Sequence, residues 1–229
     1  MILTRKILKE TLTIDRSQLP RLPHLIDFFI EKPLWDYWKL IKLLRYTDYF
    51  KSNEKQLFYR LCYYLYSFRL KRINHKYRTW FFPDVFGAGL RIHHLEVGGI
   101  TVAPTAKIGK YFTIRQFCTI GYNGNDYTRA AVIDDYVDMS VGACIFGHVK
   151  VGRGARIGSY AVVTQNVPPY AIVAGNPAKV VGYTMTPQEI EEFERKRYPE
   201  EERIPINRLE KNYNKFFEKR EEIADYLRM

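Results

Sequence analysis

The sequence predicts a mainly β protein, a left-handed parallel β-helix with an α-helical region before it and a helical tail after it. Two observations lead to this prediction. A bulky aliphatic residue returns at every sixth position over most of residues 102–163, and helical patterns of apolar residues occupy the chain on both sides. A period of six differs from the period of about 3.6 in a helix and about 2 in a strand. It fits a triangular coil with one short strand on each side.

Residues 1–80 form the predicted N-terminal helical region. Apolar and aromatic residues recur at helical spacing in LIDFFI (25–30), in WDYWKLIKLLRYTDYF (35–50) and in LFYRLCYYLYSF (57–68). Pro33 stands where a helix can begin, and Ser52 and Asn53 where one can be capped. We expect the apolar stripes of these helices to be packing surfaces.

The positive charge of the chain is concentrated in the same region. The net charge is +11, with 17 Lys and Arg against 7 Asp and Glu in residues 1–80, 9 against 6 in residues 81–183, and 10 against 12 in residues 184–229. The basic residues alternate with aromatic ones over residues 60–78. A solvated helix face accounts for this pattern, and a peripheral contact with an anionic membrane is the alternative. We do not expect a nucleic-acid partner.

Residues 81–183 contain the repeat. Its aliphatic positions are Val102, Ile108, Ile114, Ile120, Ile133, Met139, Ile145, Val151, Ile157 and Val163. In a triangular coil each of these side chains points to the axis, where one rung alone cannot bury it. Coils must therefore stack, and both ends of the stack must be covered. The helical region and the tail are the predicted covers.

Two irregularities interrupt the rungs. Tyr122–Ala131 is too long for the pattern and contains Gly-Asn-Gly-Asn-Asp, and His93–Gly99 is also longer than a rung. An insertion between stacked coils must leave the coil at an edge, and loops on rigid scaffolds often bind or catalyse. We expect the functional residues at these two places.

Residues 184–229 form the predicted tail. Thr186-Pro187-Gln188-Glu189 is a capping box with proline at the first helical position, and mixed charges follow it. This segment predicts an exposed helix or one packed against a partner.

Composition favours an unexported, cytoplasmic protein. No run of eighteen apolar residues occurs, and the first twenty residues lack an apolar core with a cleavage site. The three cysteines, Cys62, Cys118 and Cys144, are an odd number without a CxxC spacing, so neither a disulfide framework nor a zinc site is expected.

Three features together resemble the hexapeptide-repeat acyltransferases: the repeat, FGAGLRIHH (86–94) and VAGNPAKVVG (173–182). The resemblance is greatest to serine O-acetyltransferases and to the O-acetyltransferases of bacterial polysaccharide biosynthesis. It implies acetyl-CoA as co-substrate, direct transfer to a hydroxyl, a homotrimer and no metal. It also implies that His94 is the catalytic general base, because a neutral imidazole can remove the hydroxyl proton near pH 7.

The resemblance also implies a CoA site between coils. Backbone N–H groups at Gly121 and Tyr122 would meet the charge that develops on the thioester oxygen. Small residues let the pantetheine arm lie close to the backbone, and a lysine can contact a CoA phosphate. The implied cofactor-binding residues are Gly121, Tyr122, Ser140, Val141, Gly142, Gly158, Ser159, Ala174, Gly175 and Lys179.

Two departures from the serine enzymes affect the predicted acceptor. The positions of their histidine-orienting aspartate and of their second histidine correspond here to Thr79 and about Ala130. Asp84 and Glu96 remain as candidates to orient His94. The predicted acceptor is therefore a saccharide hydroxyl of a surface polysaccharide, with serine as the alternative.

Two other classes of function stay open. A zinc hydratase on the same coil needs three converging histidines, and His148 has no histidine five residues away on either side. A coil without chemistry would be an interaction scaffold, and such a protein would not bind CoA.

Overall fold

The structure is a computed structural model that describes residues 4–19, 32–124 and 126–228. The predicted helical pattern at residues 25–30 lies outside the described residues. The described helices before the coil are α1 (Arg5–Ser17), α2 (Lys32–Ser52) and α3 (Leu57–Tyr77). Thr4 caps α1 by accepting a hydrogen bond from the Ile7 N–H.

Helices α2 and α3 pack against each other through aromatic side chains. The Tyr66 ring of α3 lies 4.9 Å from the Phe50 ring and 5.5 Å from the Tyr46 ring, measured between centroids. On the other side of α2, Leu40, Ile41 and Leu44 are buried and belong to one core with the coil. The prediction of helices at 35–50 and 57–68 is confirmed.

Three parallel faces make up the coil. The first face contains β1 (Thr79–Trp80), β3 (Ile100–Val102), β6 (Thr119–Gly121), β9 (Cys144–Phe146) and β12 (Val162–Val163). The second face contains β4 (Lys107–Ile108), β7 (Val132–Ile133) and β10 (Lys150–Val151). The third face contains β2 (Arg91–Ile92), β5 (Thr113–Ile114), β8 (Asp138–Met139), β11 (Arg156–Ile157), β13 (Ala171–Ala174) and the antiparallel β14 (Lys179–Tyr183).

The repeat residues line the axis of this coil. All ten aliphatic positions of the repeat are buried, and Ile114, Ile120 and Ile145 are fully inaccessible. Each registers with its equivalent on the neighbouring coil, as Ile120 does with Ile145. The left-handed parallel β-helix predicted from the repeat is confirmed. The division at residues 80 and 183 stays a prediction.

Aromatic residues with left-handed backbone turn the chain at its corners. Tyr111, Phe117, Tyr160 and Tyr170 have φ between 56° and 63°. Each ring covers a glycine of the adjacent coil: a Cβ built on that glycine would lie 2.4–2.6 Å from the ring. The covered glycines are Gly89, Gly99, Gly142 and Gly154. The glycines thus allow both a positive φ and a close ring contact.

A buried ionic cluster joins the helices to the first coil. Arg45 of α2 donates to Asp15 of α1 at 2.7 Å and lies 3.6 Å from Asp48. Its guanidinium also donates to the Phe86 and Gly87 carbonyl oxygens, each at 2.6 Å. These bonds satisfy the charge and two backbone groups at the end of the coil, where no further rung exists. The predicted cover at this end therefore includes a polar anchor.

The C-terminal helices α4 (Pro187–Arg197) and α5 (Ile206–Arg228) follow the last strand, with a short 3₁₀ helix at Glu200–Glu202 between them. The predicted capping box at Thr186 and Glu189 is confirmed. Glu194 of α4 is buried, accepting hydrogen bonds from Arg153 of the coil at 2.6 Å and from the Tyr170 hydroxyl. Through these bonds α4 is fixed to the coil.

Candidate active site

His94 lies where the chain turns from the third face to the first. We call this corner, which each coil crosses between strands such as β2 and β3, the histidine edge. His94 has φ of 57°, a left-handed conformation like that of Phe117 and Tyr160 on the same edge. Its carbonyl accepts the Val97 N–H at 3.1 Å, which closes a tight turn. The irregular segment 93–99 thus projects its histidine outward from a rigid corner.

The side chain of His94 is exposed over 58% of its surface and faces Glu96. Its Nδ1 lies 3.4 Å from Glu96 Oε1. This contact leaves Nε2 free to meet a substrate. For the adjacent His93, partial burial, with repulsion from the Arg115 guanidinium second, lowers the pKa of the imidazole. The geometry therefore places one carboxylate, that of Glu96, beside the His94 ring.

The other carboxylate considered from the sequence, Asp84, does not face His94. It lies near α2, where its side chain is 2.8 Å from Lys51 Nζ and its backbone N–H donates to Asp48. Thr79 is buried and its hydroxyl donates to Asn74 Oδ1 at 3.0 Å. The expectation that Asp84 could orient His94 is therefore wrong, because Asp84 is bound to Lys51 and Asp48 of α2. Of the two candidates, only Glu96 contacts His94.

Most of the implied CoA residues follow the histidine edge below His94. Ser140, Val141 and Gly142 connect β8 to β9, and Gly158 and Ser159 lie between β11 and β12. Ala174 ends β13, and Gly175 follows it. Backbone hydrogen bonds link successive corners, including Gly142 N–H to the Gln116 carbonyl at 3.0 Å and Tyr160 N–H to the Val141 carbonyl at 2.9 Å. Lys179 follows at the start of β14 and is exposed.

The spacing of the coils gives the length of this path. Neighbouring strands are about 4.8 Å apart, so Gly142, Ser159 and Gly175 lie roughly 10, 14 and 19 Å along the edge from His94. The corners at residues 140–142, 158–159 and 174–175 offer small side chains and backbone groups, whereas the corner next to His94 carries Arg115, Gln116 and Phe117. An extended ligand can lie along the edge with one end at His94.

Gly121 and Tyr122 are on a different corner. They end β6 and begin the loop Tyr122–Ala131, where the chain turns from the first face to the second; we call this the loop edge. The Tyr122 hydroxyl accepts from Thr105 at 3.2 Å, and its ring lies 5.3 Å from that of Tyr127. Within one chain, therefore, these two residues do not join His94.

The loop edge also carries the histidine that was considered for a zinc site. His148 follows β9 on the coil next to the loop. Hydrogen bonds from Thr128 chiefly lower the pKa of Asp126 in the loop, and the positive charge of Arg129 and His148 lowers it further. Ala130, close to the position where the resemblance implies a second histidine, is buried. The sequence alone does not show that His148 lies next to the loop, because the two are neighbours only through the stacking of the coils.

Metal ligands do not converge anywhere in the described part of the chain. No group of three or more His, Cys, Asp or Glu side chains is placed to hold an ion among the described residues. Cys62, Cys118 and Cys144 are free thiols.

The fold and the corner that carries His94 together resemble the hexapeptide-repeat acyltransferases. No family model matches the chain. Among curated proteins, the serine acetyltransferase of Escherichia coli (strain K12) is 41% identical over 97 residues, covering 42% of this chain and 35% of that protein. The serine acetyltransferase of Mycobacterium tuberculosis (strain ATCC 25618 / H37Rv) is 37% identical over 99 residues, covering 43% of this chain and 42% of that protein.

Solved structures give the same resemblance over more of the chain. A serine acetyltransferase of Vibrio cholerae aligns with a TM-score of 0.62 at 25% identity, covering 78% of this chain and 67% of that one. A serine acetyltransferase in complex with CoA aligns with a TM-score of 0.57 at 26% identity, covering 77% and 71%. The matched region in sequence is 35–42% of the length of the two curated relatives.

Proposed function

We propose that this protein is an acetyl-CoA-dependent O-acetyltransferase with His94 as its general base. The observation that carries the proposal is the common edge: His94 stands on the same edge as the small corner residues that could hold CoA. The similarity to serine acetyltransferases, one of them solved with CoA, supports it.

The reaction follows from the free nitrogen of His94. Nε2 takes the proton of the acceptor hydroxyl while that oxygen attacks the thioester carbonyl. The tetrahedral intermediate collapses with loss of the C–S bond, and the imidazolium returns its proton to the CoA sulfur. Glu96, beside Nδ1, keeps the ring in orientation and offsets the charge of the imidazolium. No acyl-enzyme is needed.

Serine is the acceptor that the similarity favours over the saccharide expected from the sequence departures. The relatives that we compared are named serine acetyltransferases, and a soybean serine acetyltransferase complexed with serine aligns with a TM-score of 0.58 at 26% identity. The buried Thr79 and Ala130 remain the argument for a different acceptor, because neither can supply the charge of the residue it replaces.

A homotrimer would complete the site. In one chain the loop edge is a separate corner from the histidine edge, so the loop, Gly121 and Tyr122 can meet His94 only across a subunit contact. Val97, Phe117 and Tyr160 lie along the histidine edge with 45–67% of their surface exposed, which suits such a contact. The cytoplasmic location predicted from composition belongs to the same proposal.

The test is acetyl transfer with a panel of hydroxyl acceptors. Release of CoA thiol is measured with acetyl-CoA and either serine or mono- and oligosaccharides. We expect transfer to serine, and a loss of about 10²–10⁴-fold in kcat for His94→Asn with CoA affinity retained. His75→Asn, a surface histidine of α3, is the matched control.

Each result of this assay bears on the proposal. Activity with a saccharide and none with serine would overturn the acceptor while leaving the base intact. Unchanged activity in His94→Asn, or a folded protein that does not bind CoA, would overturn the proposed function.

A further inference from the structure

Helix α3 exposes an apolar stripe along the side that faces away from α2. The stripe consists of six large side chains, each between 49% and 68% exposed: Leu57, Phe58, Leu61, Tyr64, Leu65 and Phe68. The opposite side of the helix buries Leu70 and Ile73 and packs the Tyr66 ring on α2. The helix is therefore apolar on two sides, and only one of them has a partner in the described chain.

Cations flank this stripe on both sides. At about 100° per residue, Arg60 and Lys71 lie along one margin, Arg69 lies along the other, and Arg72 follows at its end. Residues 57–77 contain no Asp or Glu. The guanidinium carbon of Arg72 lies 5.9 Å from the centroid of the Phe68 ring, so a positive charge stands next to the apolar surface.

We propose that the α3 stripe docks on the surface of an anionic lipid bilayer. Leucine and aromatic side chains would enter the headgroup boundary while the flanking arginines and lysine contact lipid phosphates. No described helix is both long and apolar enough to cross a membrane, so this contact is peripheral. The proposal does not depend on the acetyltransferase activity.

Charge decides among the possible occupants. A second copy placed symmetrically on the stripe would bring the arginines and Lys71 of each copy toward those of the other, with no carboxylate on the helix to offset them. A nucleic acid would gain from the cations and the rings but not from Leu57, Leu61 and Leu65, which neither stack nor donate hydrogen bonds. An anionic bilayer matches both the leucines and the cations.

A cavity beside the stripe also suits lipid. It has a volume of about 650 Å³ and lies between α3 and residues 79–83, with Lys71, His75 and Arg78 among its lining residues. Three basic side chains next to apolar walls can receive an anionic headgroup.

Vesicle co-sedimentation tests the proposal on the full chain. Vesicles of phosphatidylcholine mixed with phosphatidylglycerol are compared with pure phosphatidylcholine. We expect binding to the anionic vesicles that weakens with salt. The triple variant Arg60→Gln, Lys71→Gln, Arg72→Gln should lose roughly 100-fold in affinity, at about 1 kcal/mol per cation. The triple variant Phe58→Ser, Leu61→Ser, Phe68→Ser should lose binding with its charge unchanged.

A matched charge control comes from the coil. Lys107, Lys150 and Arg156 are exposed, and their triple glutamine variant removes the same charge without touching α3. Equal loss in this control, or no binding of the unmodified chain to anionic vesicles, would overturn the proposal. Sedimentation velocity without vesicles gives a further test. An oligomer that dissociates in the triple variant Phe58→Ser, Leu61→Ser, Phe68→Ser would overturn the proposal, because a second copy would then cover the stripe.

Discussion

At the residue scale, the proposed mechanism depends on the contact between His94 and Glu96. Both candidate carboxylates were visible in the sequence, but sequence spacing alone could not choose between them. The choice depends on which edge each residue occupies. Asp84 lies beside Lys51 and Glu96 beside His94 Nδ1, and only the folded coil separates them.

Replacing these carboxylates tests that assignment. We expect Glu96→Gln to lower kcat about 10-fold or less, because the contact is long and exposed and such pairs contribute up to about 1 kcal/mol. KM for acetyl-CoA should stay unchanged, since Glu96 acts through His94. Asp84→Asn is the control and should keep full activity. A larger loss in Asp84→Asn than in Glu96→Gln would contradict the assignment.

The aromatic corners make a second residue-scale prediction. Gly154 has φ of 66°, and an added Cβ would lie 2.5 Å from the Tyr170 ring, which is buried and held by Glu194. We expect Gly154→Ala to lower the free energy of unfolding by about 2–4 kcal/mol, from backbone strain and overpacking together.

Gly124 provides the comparison for that substitution. It has φ of 61° but no atom within 4 Å of an added Cβ. Gly124→Ala should therefore lose only about 1 kcal/mol. Denaturant unfolding of both variants gives the difference, and equal losses would show that the ring contact contributes nothing.

At the scale of elements, the repeat was the most predictable feature. Its aliphatic residues are buried because the three faces share one axis. Each face contributes one axial residue to a coil, and the period of six follows from this arrangement. The repeat as read from the sequence did not include the first coil, because aromatic and polar residues begin it. Phe86 and Ile92 are six apart and lie in the core. The earlier strand at Thr79–Trp80 has no aliphatic residue. A wider choice of core residue types would have extended the repeat to Phe86.

The joint between helices and coil was not predictable, since it depends on residues far apart in sequence. Asp15, Arg45 and Asp48 meet only when α1 and α2 cover the end of the coil. Burial raises the pKa of Asp48 to about 6, against the attraction of Arg45. The folded chain therefore holds this proton more tightly than the unfolded chain.

This cluster predicts a pH dependence with a definite sign. A carboxyl with a raised pKa stabilises the fold fully below about pH 4, and this contribution is lost as the pH rises through about 6. We expect Asp48→Asn, which has no proton to lose, to gain about 1–3 kcal/mol relative to the unmodified protein between pH 4 and pH 6.5. Urea unfolding across that range measures it.

Asp36 is the control of opposite sign. Burial alone would raise the pKa of Asp36, but hydrogen bonds from Lys76 and Tyr77 leave it lowered. Its contribution is present at neutral pH and is lost on acidification. Asp36→Asn should therefore lose stability relative to the unmodified protein at pH 7 and not at low pH. The same sign for both variants would contradict the assignment.

At the scale of the whole molecule, the parts have separate tasks. The coil presents one edge with a histidine and a row of small corners, α2 and α4 anchor its ends, and α3 turns an apolar, basic side outward. The period of six predicted the coil, and the helical patterns predicted the helices at residues 35–50 and 57–68. It did not predict that the loop and His94 occupy different edges, because the edge on which an insertion leaves depends on the count of rungs before it.

Hydrogen–deuterium exchange with and without CoA tests the common edge most directly. We predict that CoA slows exchange at residues 140–142, 158–159 and 174–175, the corners at the ends of β8, β11 and β13. The second face, β4, β7 and β10, should not change. Slower exchange confined to the second face, or none at these corners when CoA is bound, would contradict the claim that His94 and CoA share one edge.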